Sequence, residues 1–478
     1  MNQKIRTRFA PSPTGFLHVG GLRTALYAYL FAKKNNGQFF LRIEDTDQSR
    51  KVAGADKYIK ESLKNFGLDW QGKIVYQSKR LKIYQAQAKK LVETGHAYYC
   101  FCSPEKIEAI RQQKQAQKLP TLHECNCPLL NQEAIIANLK NKQPFVIRLK
   151  VPKIAGMVKF KDQIRGEVAF DYKTIDDQVL LKSDGYPTYH LANVIDDHDM
   201  GITHVIRGEE WLPSTPKHIL LYQAFGWPVP NFAHLPLLLN PDRSKLSKRQ
   251  GDVAVGDYLK KGYLKEALLN FVLLLGWNPG DNKEIFSLAE MVKAFSLEKV
   301  HKSGAVFDVQ KLDWINGQYI RNLSLDQFAD LVLPFFKAAK IKTNKKALKP
   351  IIATEQSRIK RLDEIVLATE FFFVQPKYDA NLLIWKQMTN RQVAIRLAML
   401  SDKLLTVKNK DWRTDFLEGE VKEFLAEQKI GVGEMLWPMR VALSGRKASP
   451  GPFEIAEVLG QKETIKRLKF AIDLLGWA

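Results

Sequence analysis

The stretch Ala10-Pro11-Ser12-Pro13-Thr14-Gly15-Phe16-Leu17-His18-Val19-Gly20-Gly21 decides the fold. Before it, Ile5 to Phe9 reads as a short strand. After it, from about Gly20 to Lys34, Leu22, Leu26, Tyr29 and Leu30 share one helical face at i, i+4, i+7 and i+8. Asn35-Asn36-Gly37 stops the helix, and Phe39 to Ile43 is an apolar strand. Strand, loop, helix and strand make a βαβ unit with the crossover length of a parallel sheet. The loop opens onto a helix N-terminus, where backbone N–H groups and the helix dipole favour phosphate. Gly20 and Gly21 allow close approach to the backbone. His18 stands at the helix mouth, where it can donate to an oxygen that gains charge in a transition state. No Gly-Lys-Ser/Thr follows, so this is not the lysine-bearing phosphate loop. A tight turn capped by the histidine is the alternative reading.

A second motif, Lys245-Leu246-Ser247-Lys248-Arg249, follows the apolar segment Leu235 to Leu239 and the turn Asn240-Pro241-Asp242. Its three cations and a hydroxyl can neutralise much of a triphosphate's charge. Ser244, Gln250 and Gly251 around it suit a loop that closes over a nucleotide. If the two motifs sit on separate halves of one doubly wound sheet, they face a shared crevice.

Four cysteines, the only ones in 478 residues, fall between Cys100 and Cys127 as Cys100-Phe101-Cys102 and Cys125-Asn126-Cys127. Four thiolates suit a tetrahedral structural zinc, with His123 as a rival fourth ligand and free thiols as the alternative. Asp196, Asp197, His198 and Asp199 are a second candidate metal cluster, although packing or capping is the simpler reading of His198. Strand-like residues flank a basic insertion at Phe145 to Leu149 and Val179 to Leu181, and strand-like, turn-rich sequence runs from Asp184 to Glu210. Past Leu264 the chain reads as largely helical, with Lys342, Lys345, Lys346 and Lys349 forming a basic linker or nucleic-acid-facing surface, and Phe371 to Phe373 as core.

The length suits about three domains of roughly 150 residues, or four or five smaller ones. No apolar run approaches the ~18 residues of a membrane span. Met1 to Phe9 lacks the apolar core of a secretory signal, so a cytoplasmic location and no membrane partner are expected. The net charge is +22, of which +8 lies from Arg321 onward, so the excess is spread through the chain. Such a surface suits a polyanion, above all nucleic acid.

Together the two motifs resemble the His-Ile-Gly-His and Lys-Met-Ser-Lys-Ser signatures of class I aminoacyl-tRNA synthetases. The forms found here, with Leu41-Arg42-Ile43-Glu44-Asp45-Thr46-Asp47, Asp184 to His198 and Ile206-Arg207-Gly208-Glu209-Glu210-Trp211, resemble the bacterial glutamyl-tRNA synthetases. Gly21 stands where the general signature has its second histidine, so one phosphate-side donor is missing. The resemblance implies an α/β Rossmann-type catalytic domain with an inserted α+β domain, followed by an all-α anticodon-binding region. The implied boundaries are 1–95 and 186–323 for the catalytic halves (the latter with a stem-contact region), 96–185 for the insertion with its zinc knuckle, and 324–376 and 377–478 for the helical end.

It further implies ATP with Mg²⁺, L-glutamate and a glutamate tRNA as partners, a structural Zn²⁺ on Cys100, Cys102, Cys125 and Cys127, and a monomer. His18, Lys245 and Lys248 would be catalytic. Gly20, Gly21, Glu210, Trp211, Leu238, Leu246, Ser247 and Arg249 would complete the ATP site. The remaining chemistry fits glutamate: two carboxylates need fixed cations and one ammonium needs an anion. Arg8 and Arg207 supply guanidiniums, Glu44 the anion, and Ser12, Tyr189 and Asn193 neutral hydrogen bonds. Which arginine holds which carboxylate stays open. In Gln356-Ser357-Arg358 the arginine resembles the form that accepts only the glutamate tRNA. A form that also glutamylates the glutamine tRNA is the alternative, and a non-catalytic RNA-binding descendant is a more distant one.

Overall fold

A computed structural model of the protein describes residues 4–246 and 254–476. Two compact units emerge, Met1–Leu259 with Lys265–Lys311, and Lys260–Leu264 with Leu312–Ala478.

The first unit begins with the expected βαβ arrangement. Strand β1 (Arg6–Phe9) pairs in parallel with β2 (Gln38–Ile43), and β2 with β3 (Val75–Tyr76). The helix Val19–Lys34 crosses between the first two and buries Leu22, Leu26 and Leu30. Tyr29 of the predicted face is only part-buried; the buried face turns instead through Ala25 and Tyr27, whose hydroxyl donates to the carbonyl of Leu273 at 2.9 Å.

The insertion contributes an antiparallel sheet of β4 (Ala97–Cys100), β5 (Val146–Leu149) and β8 (Val179–Leu181), and a hairpin of β6 (Met157–Asp162) and β7 (Gly166–Asp171). The hairpin joins β9 (His204–Gly208) and β10 (Asn231–Leu235) in the order β7-β6-β10-β9, with β10 parallel to both neighbours. Two short strands, β11 (Leu238–Leu239) and β12 (Ala305–Val306), pair beside them.

The two halves meet at β1 and β9. Thr203 donates its N–H to Arg6 O at 3.0 Å, and Arg6 donates its own to the Thr203 hydroxyl at 2.9 Å. From that seam the chain winds outward through β2 and β3 on one side and through β10 on the other. This is the switch point of a doubly wound sheet, where the carboxyl ends of diverging strands leave a crevice.

One segment departs from the sequence reading. Within the stretch expected to be strand-like, Tyr189–Asp199 is a helix. Residues Leu191 to Asp197 are all buried, so it carries no polar face to betray a helical period.

The second unit is helical. Its main core gathers Leu383, Val393, Leu397, Leu400, Leu417, Val421, Met435, Leu443, Ile455 and Leu468, contributed by five segments. Phe371 is buried, as expected of core, while Phe372 and Phe373 are half-buried. Of the lysine cluster read as a linker or nucleic-acid-facing surface, Lys342 precedes and Lys345, Lys346 and Lys349 belong to the helix Lys345–Ala353, capped by Asn344, which accepts from Ala347 N at 3.0 Å. Leu348 and Ile352 anchor it at i, i+4, and Lys345 and Lys349 pair with Asp326 at 3.3 and 2.7 Å. No helix among the described residues is long and apolar enough to cross a membrane.

Candidate active site

A cavity of about 520 Å³ opens at the switch point, beyond the carboxyl ends of β1 and β9. Arg8, Ser12, His18, Gly20, Gly21, Glu44, Tyr189, Asn193, Arg207, Glu210, Trp211, Leu238, Lys245 and Leu246 all line it. Ser247, Lys248 and Arg249 lie outside the described residues. Their neighbours are placed: Leu246 lines the cavity, and Ala254 bridges to His18 while Val255 donates its N–H to Leu17 O at 2.9 Å. The described chain thus lies at the cavity at Leu246 and against the first motif again at Ala254 and Val255.

His18 is the N-cap of the helix Val19–Lys34. Its backbone is extended and its Nδ1 accepts from Gly21 N at 3.2 Å. A neutral ring accepting at Nδ1 carries its proton on Nε2. The capping reading and the site reading thus describe the same residue. Gly20 gives that ring room, because a Cβ there would lie 3.0 Å from His18 Cε1 and press on it. The hairpin presenting Lys245 is closed by Leu246 N donating to Leu238 O at 2.9 Å, and its turn places Arg243 in the left-handed region at φ 65°. Lys245 itself is exposed.

The other end of the cavity rests on buried charge. Asp197, 1% exposed, receives Arg8 Nε and Nη2 at 2.9 and 3.2 Å and Arg42 Nη1 at 2.6 Å. Arg42 also donates to Glu44 Oε1 at 3.2 Å. Asn193 stands between these groups. With its amide turned, its nitrogen donates to Asp197 Oδ2 at 3.2 Å and its oxygen accepts from Arg42 Nη2 at 3.0 Å. Tyr189 and Asn193, four residues apart, reach the cavity from one face of their helix. Burial pushes the Glu44 carboxyl above its ordinary value, with Arg42 and Arg8 opposing. Burial also opposes the Asp197 charge, but Arg42 and Arg8 overcome it and hold that carboxyl low. Glu44 is thus the carboxylate still short of positive charge, and an ammonium ion would supply it.

Arg207 differs from its expected part as a carboxylate fork. Its Nε donates to His234 Nε2 at 3.0 Å, its Nη1 to Tyr189 Oη and His218 Nδ1, both at 3.1 Å, and its Nη2 to Thr215 Oγ1 and Trp211 O at 2.8 and 3.4 Å. A guanidinium has five N–H donors, and all five are committed to protein. Arg8 keeps more to offer, since its Nη1 has only Ile206 O, at 3.5 Å. Tyr189 packs on Trp211 with ring centroids 4.1 Å apart.

The acidic cluster considered as a metal site is engaged otherwise. Asp196 accepts from Gln77, Arg80 and Tyr84 at 2.8–2.9 Å, Asp199 pairs with Arg80, and His198 stacks on Trp227 at 3.8 Å. Among the described residues the metal-type cluster is Cys100, Cys102, His123 and Cys125, whose ligand atoms lie within 4.8 Å of one another. His123 Nε2 is 3.5 Å from Cys100 Sγ and 3.2 Å from Cys125 Sγ, spacings that suit a tetrahedral Zn²⁺. Cys127, expected as the fourth ligand, has its Sγ 3.8 Å from that of Cys102 but lies outside this mutually close set. The set suits a divalent cation, because three thiol sulfurs and an imidazole nitrogen within mutual reach are the donors a tetrahedral Zn²⁺ takes.

Sequence reasoning gave no role to Arg42, Asp162, His218 or His234. For Arg42 a signal existed, a lone cation between Leu41 and Ile43 of an apolar strand, which demands a buried partner. For the histidines there was none, because their partners are remote in the chain.

Residues 4–314 match the family model of the class I tRNA synthetase (E and Q) catalytic domain, and residues 327–472 that of an anticodon binding domain. The chain is 46% identical to the glutamate–tRNA ligase of Clostridium tetani over 99% of its length and 98% of that protein, and 44% identical to that of Clostridium novyi over the same shares. A crystal structure of a glutamate tRNA ligase from Elizabethkingia meningosepticum, in complex with its amino acid, superposes with a TM-score of 0.89 at 37% identity, covering 98% of this chain and 99% of that one. Similarity at both ends of the chain, around a crevice with opposed fixed charges, leads to one assignment: this enzyme belongs to the glutamate–tRNA ligase family of the class I tRNA synthetases.

Proposed function

We propose that the protein activates L-glutamate with ATP and transfers the glutamyl group to the 3′-terminal adenosine of a glutamate tRNA. One observation carries the reading: a single crevice holds Arg8 and Glu44, opposite fixed charges, beside a helix N-terminus capped by His18. The ammonium of glutamate would lie against Glu44 and its side-chain carboxylate against Arg8 and Tyr189. Its α-carboxylate attacks the α-phosphorus of ATP, forming glutamyl-adenylate and releasing pyrophosphate. A hydroxyl of the terminal ribose then takes the glutamyl group and releases AMP.

No side chain acts as nucleophile. Rate comes from positioning and from charge stabilisation by His18 through Nε2–H, by Lys245, and by Lys248 of the second motif. Gly20, Gly21, Leu238, Leu246, Glu210 and Trp211 would shape the nucleotide end, with Ser247 and Arg249 of the same motif. Mg²⁺ would enter on the ATP phosphates.

Cys100, Cys102, Cys125 and His123 would hold Zn²⁺, which supplies a structural cross-link in the insertion and no chemistry in the cavity. Metal analysis is expected to give about one zinc per chain, retained in Cys127→Ser and lost in His123→Ala. Equal retention in both variants would return the fourth position to another ligand. In the helical end, Arg358 pairs with Glu355 at 3.1 Å yet stays 42% exposed, open enough to meet an anticodon base. Gln356 holds its segment by donating to Ile320 O and Leu323 O, both at 2.9 Å.

Charging assays with purified glutamate and glutamine tRNAs test the reading. The expected result is glutamylation of the first and not the second. Glutamylation of both would establish the relaxed form, and of neither would overturn the proposal.

A further inference from the structure

Behind the amino-acid end of the cavity lies a row of side chains, Asp162, His234 and His218 buried and His190 half-buried at its outer end. Asp162 accepts from the N–H groups of Ile164 and Arg165 at 2.9 and 2.8 Å and meets His234 Nδ1 at 2.6 Å. Burial opposes its charge, but the His234 hydrogen bond and these N–H groups keep its carboxyl below the usual range. The carboxylate therefore places the His234 proton on Nδ1 and leaves Nε2 to accept from Arg207 Nε. His218 Nδ1 accepts from Arg207 Nη1, so its own proton sits on Nε2 and donates to His190 Nδ1 at 3.1 Å. Burial first, and nearby cations second, keep His218 and His190 neutral. One arrangement of protons satisfies the whole row.

That arrangement has a consequence at Tyr189. Its oxygen accepts the remaining Nη1 N–H of Arg207 at 3.1 Å. A guanidinium has no lone pair to accept in return. No acceptor for the Tyr189 O–H stands among the described residues, and Tyr189 lines the cavity. The hydroxyl hydrogen is left for a ligand. Arg8, through Nη1, supplies the other open donor at this end.

We propose that Asp162, His234, His218 and His190 are positioning residues that hold Arg207 so that Tyr189 is an obligate donor to the substrate, and that they thereby select a side-chain carboxylate over a carboxamide. A carboxylate offers an acceptor to each donor. A carboxamide offers one acceptor and turns an NH₂ toward the second donor. Sites built on hydrogen bonds discriminate strongly when a partner is missing. This inference rests on the glutamate reading above and adds the residues that enforce it.

The experiment is the measurement of kcat and KM for glutamate and for glutamine, with glutamate tRNA present, in the wild type, His218→Leu and His218→Asn. Asparagine Oδ1 can replace Nδ1 as the acceptor for Arg207. His218→Leu is expected to raise KM for glutamate about tenfold with kcat within about threefold, and to lower the glutamate-to-glutamine ratio of kcat/KM about tenfold. His218→Asn is expected to restore most of both. Thermal unfolding reports whether each variant folds. If His218→Leu does not, His190→Phe at the outer end of the row reads the same ratio, with an expected fall of about threefold. A folded variant with the wild-type ratio overturns the inference alone. A wild type that does not charge glutamate overturns the functional reading itself.

Discussion

The two ends of the cavity are built on opposite principles. At the amino-acid end Arg8, Arg42 and Asp197 are buried and Glu44 is half-buried at the cavity, and the four are bonded in one chain of ion pairs. At the nucleotide end His18 caps a helix, Gly20 keeps the backbone clear and Lys245 stands in solvent. Buried charge is costly to assemble and rigid once assembled, which suits recognition of a small molecule by its charges. Backbone N–H groups and exposed cations cost little and can follow a triphosphate through a reaction. Removing the anion that both buried guanidiniums share should therefore damage folding and binding together, and substitutions at the second end should damage rate alone.

The largest effect is expected at Asp197. Asp197→Ala strands two buried guanidiniums and should cost about 3–5 kcal/mol of stability in denaturant unfolding. A loss below about 1 kcal/mol would mean that this end is not held by its charges.

Next comes Lys248→Ala, expected to lower kcat about 100-fold with little change in melting temperature, by analogy with the loss of one oxyanion donor. A fall in stability to match would blur the contrast between the two ends.

Smaller, and dependent on pH, is Glu44→Gln. The Glu44 carboxyl is raised by burial, with Arg42 opposing, so its contribution to stability is full below the ordinary 4.5 and is lost as pH rises through the raised value. The uncharged glutamine escapes that loss, so the variant should gain melting temperature relative to the wild type between pH 4 and pH 7. KM for glutamate should meanwhile rise about tenfold or more, because a charge-assisted bond to the ammonium is gone.

The smallest effect is expected in the helical unit, where Lys345→Ala breaks exposed pairs with Asp326 and Asp330 and should leave the denaturant midpoint almost unchanged.

The same contrast explains what could be read without coordinates. The βαβ unit and the nucleotide end were legible because strand, glycine loop and helix follow one another within forty or so residues and each has a local pattern. The helix Tyr189–Asp199 was not, because burial on nearly every side erased its polar face and its residues suit strands as well. The helix Lys345–Ala353 was hidden by its lysines, although Leu348 and Ile352 four residues apart carried the signal. That His123 joins the mutually close set while Cys127 stays outside it depends on distances of a few ångströms that spacing in the chain does not encode. The commitment of all five Arg207 donors was beyond reach as well, since Tyr189, Trp211, Thr215, His218 and His234 meet it only in space.

The most direct test of the account is a crystal structure with a non-reactive glutamyl-adenylate analogue. The expected complex has the amino group on Glu44, the side-chain carboxylate bridging Arg8 and Tyr189, and the phosphate facing His18 and the second motif. An analogue lying elsewhere, or one with its amino group at Arg8 and its phosphate away from His18, would contradict it.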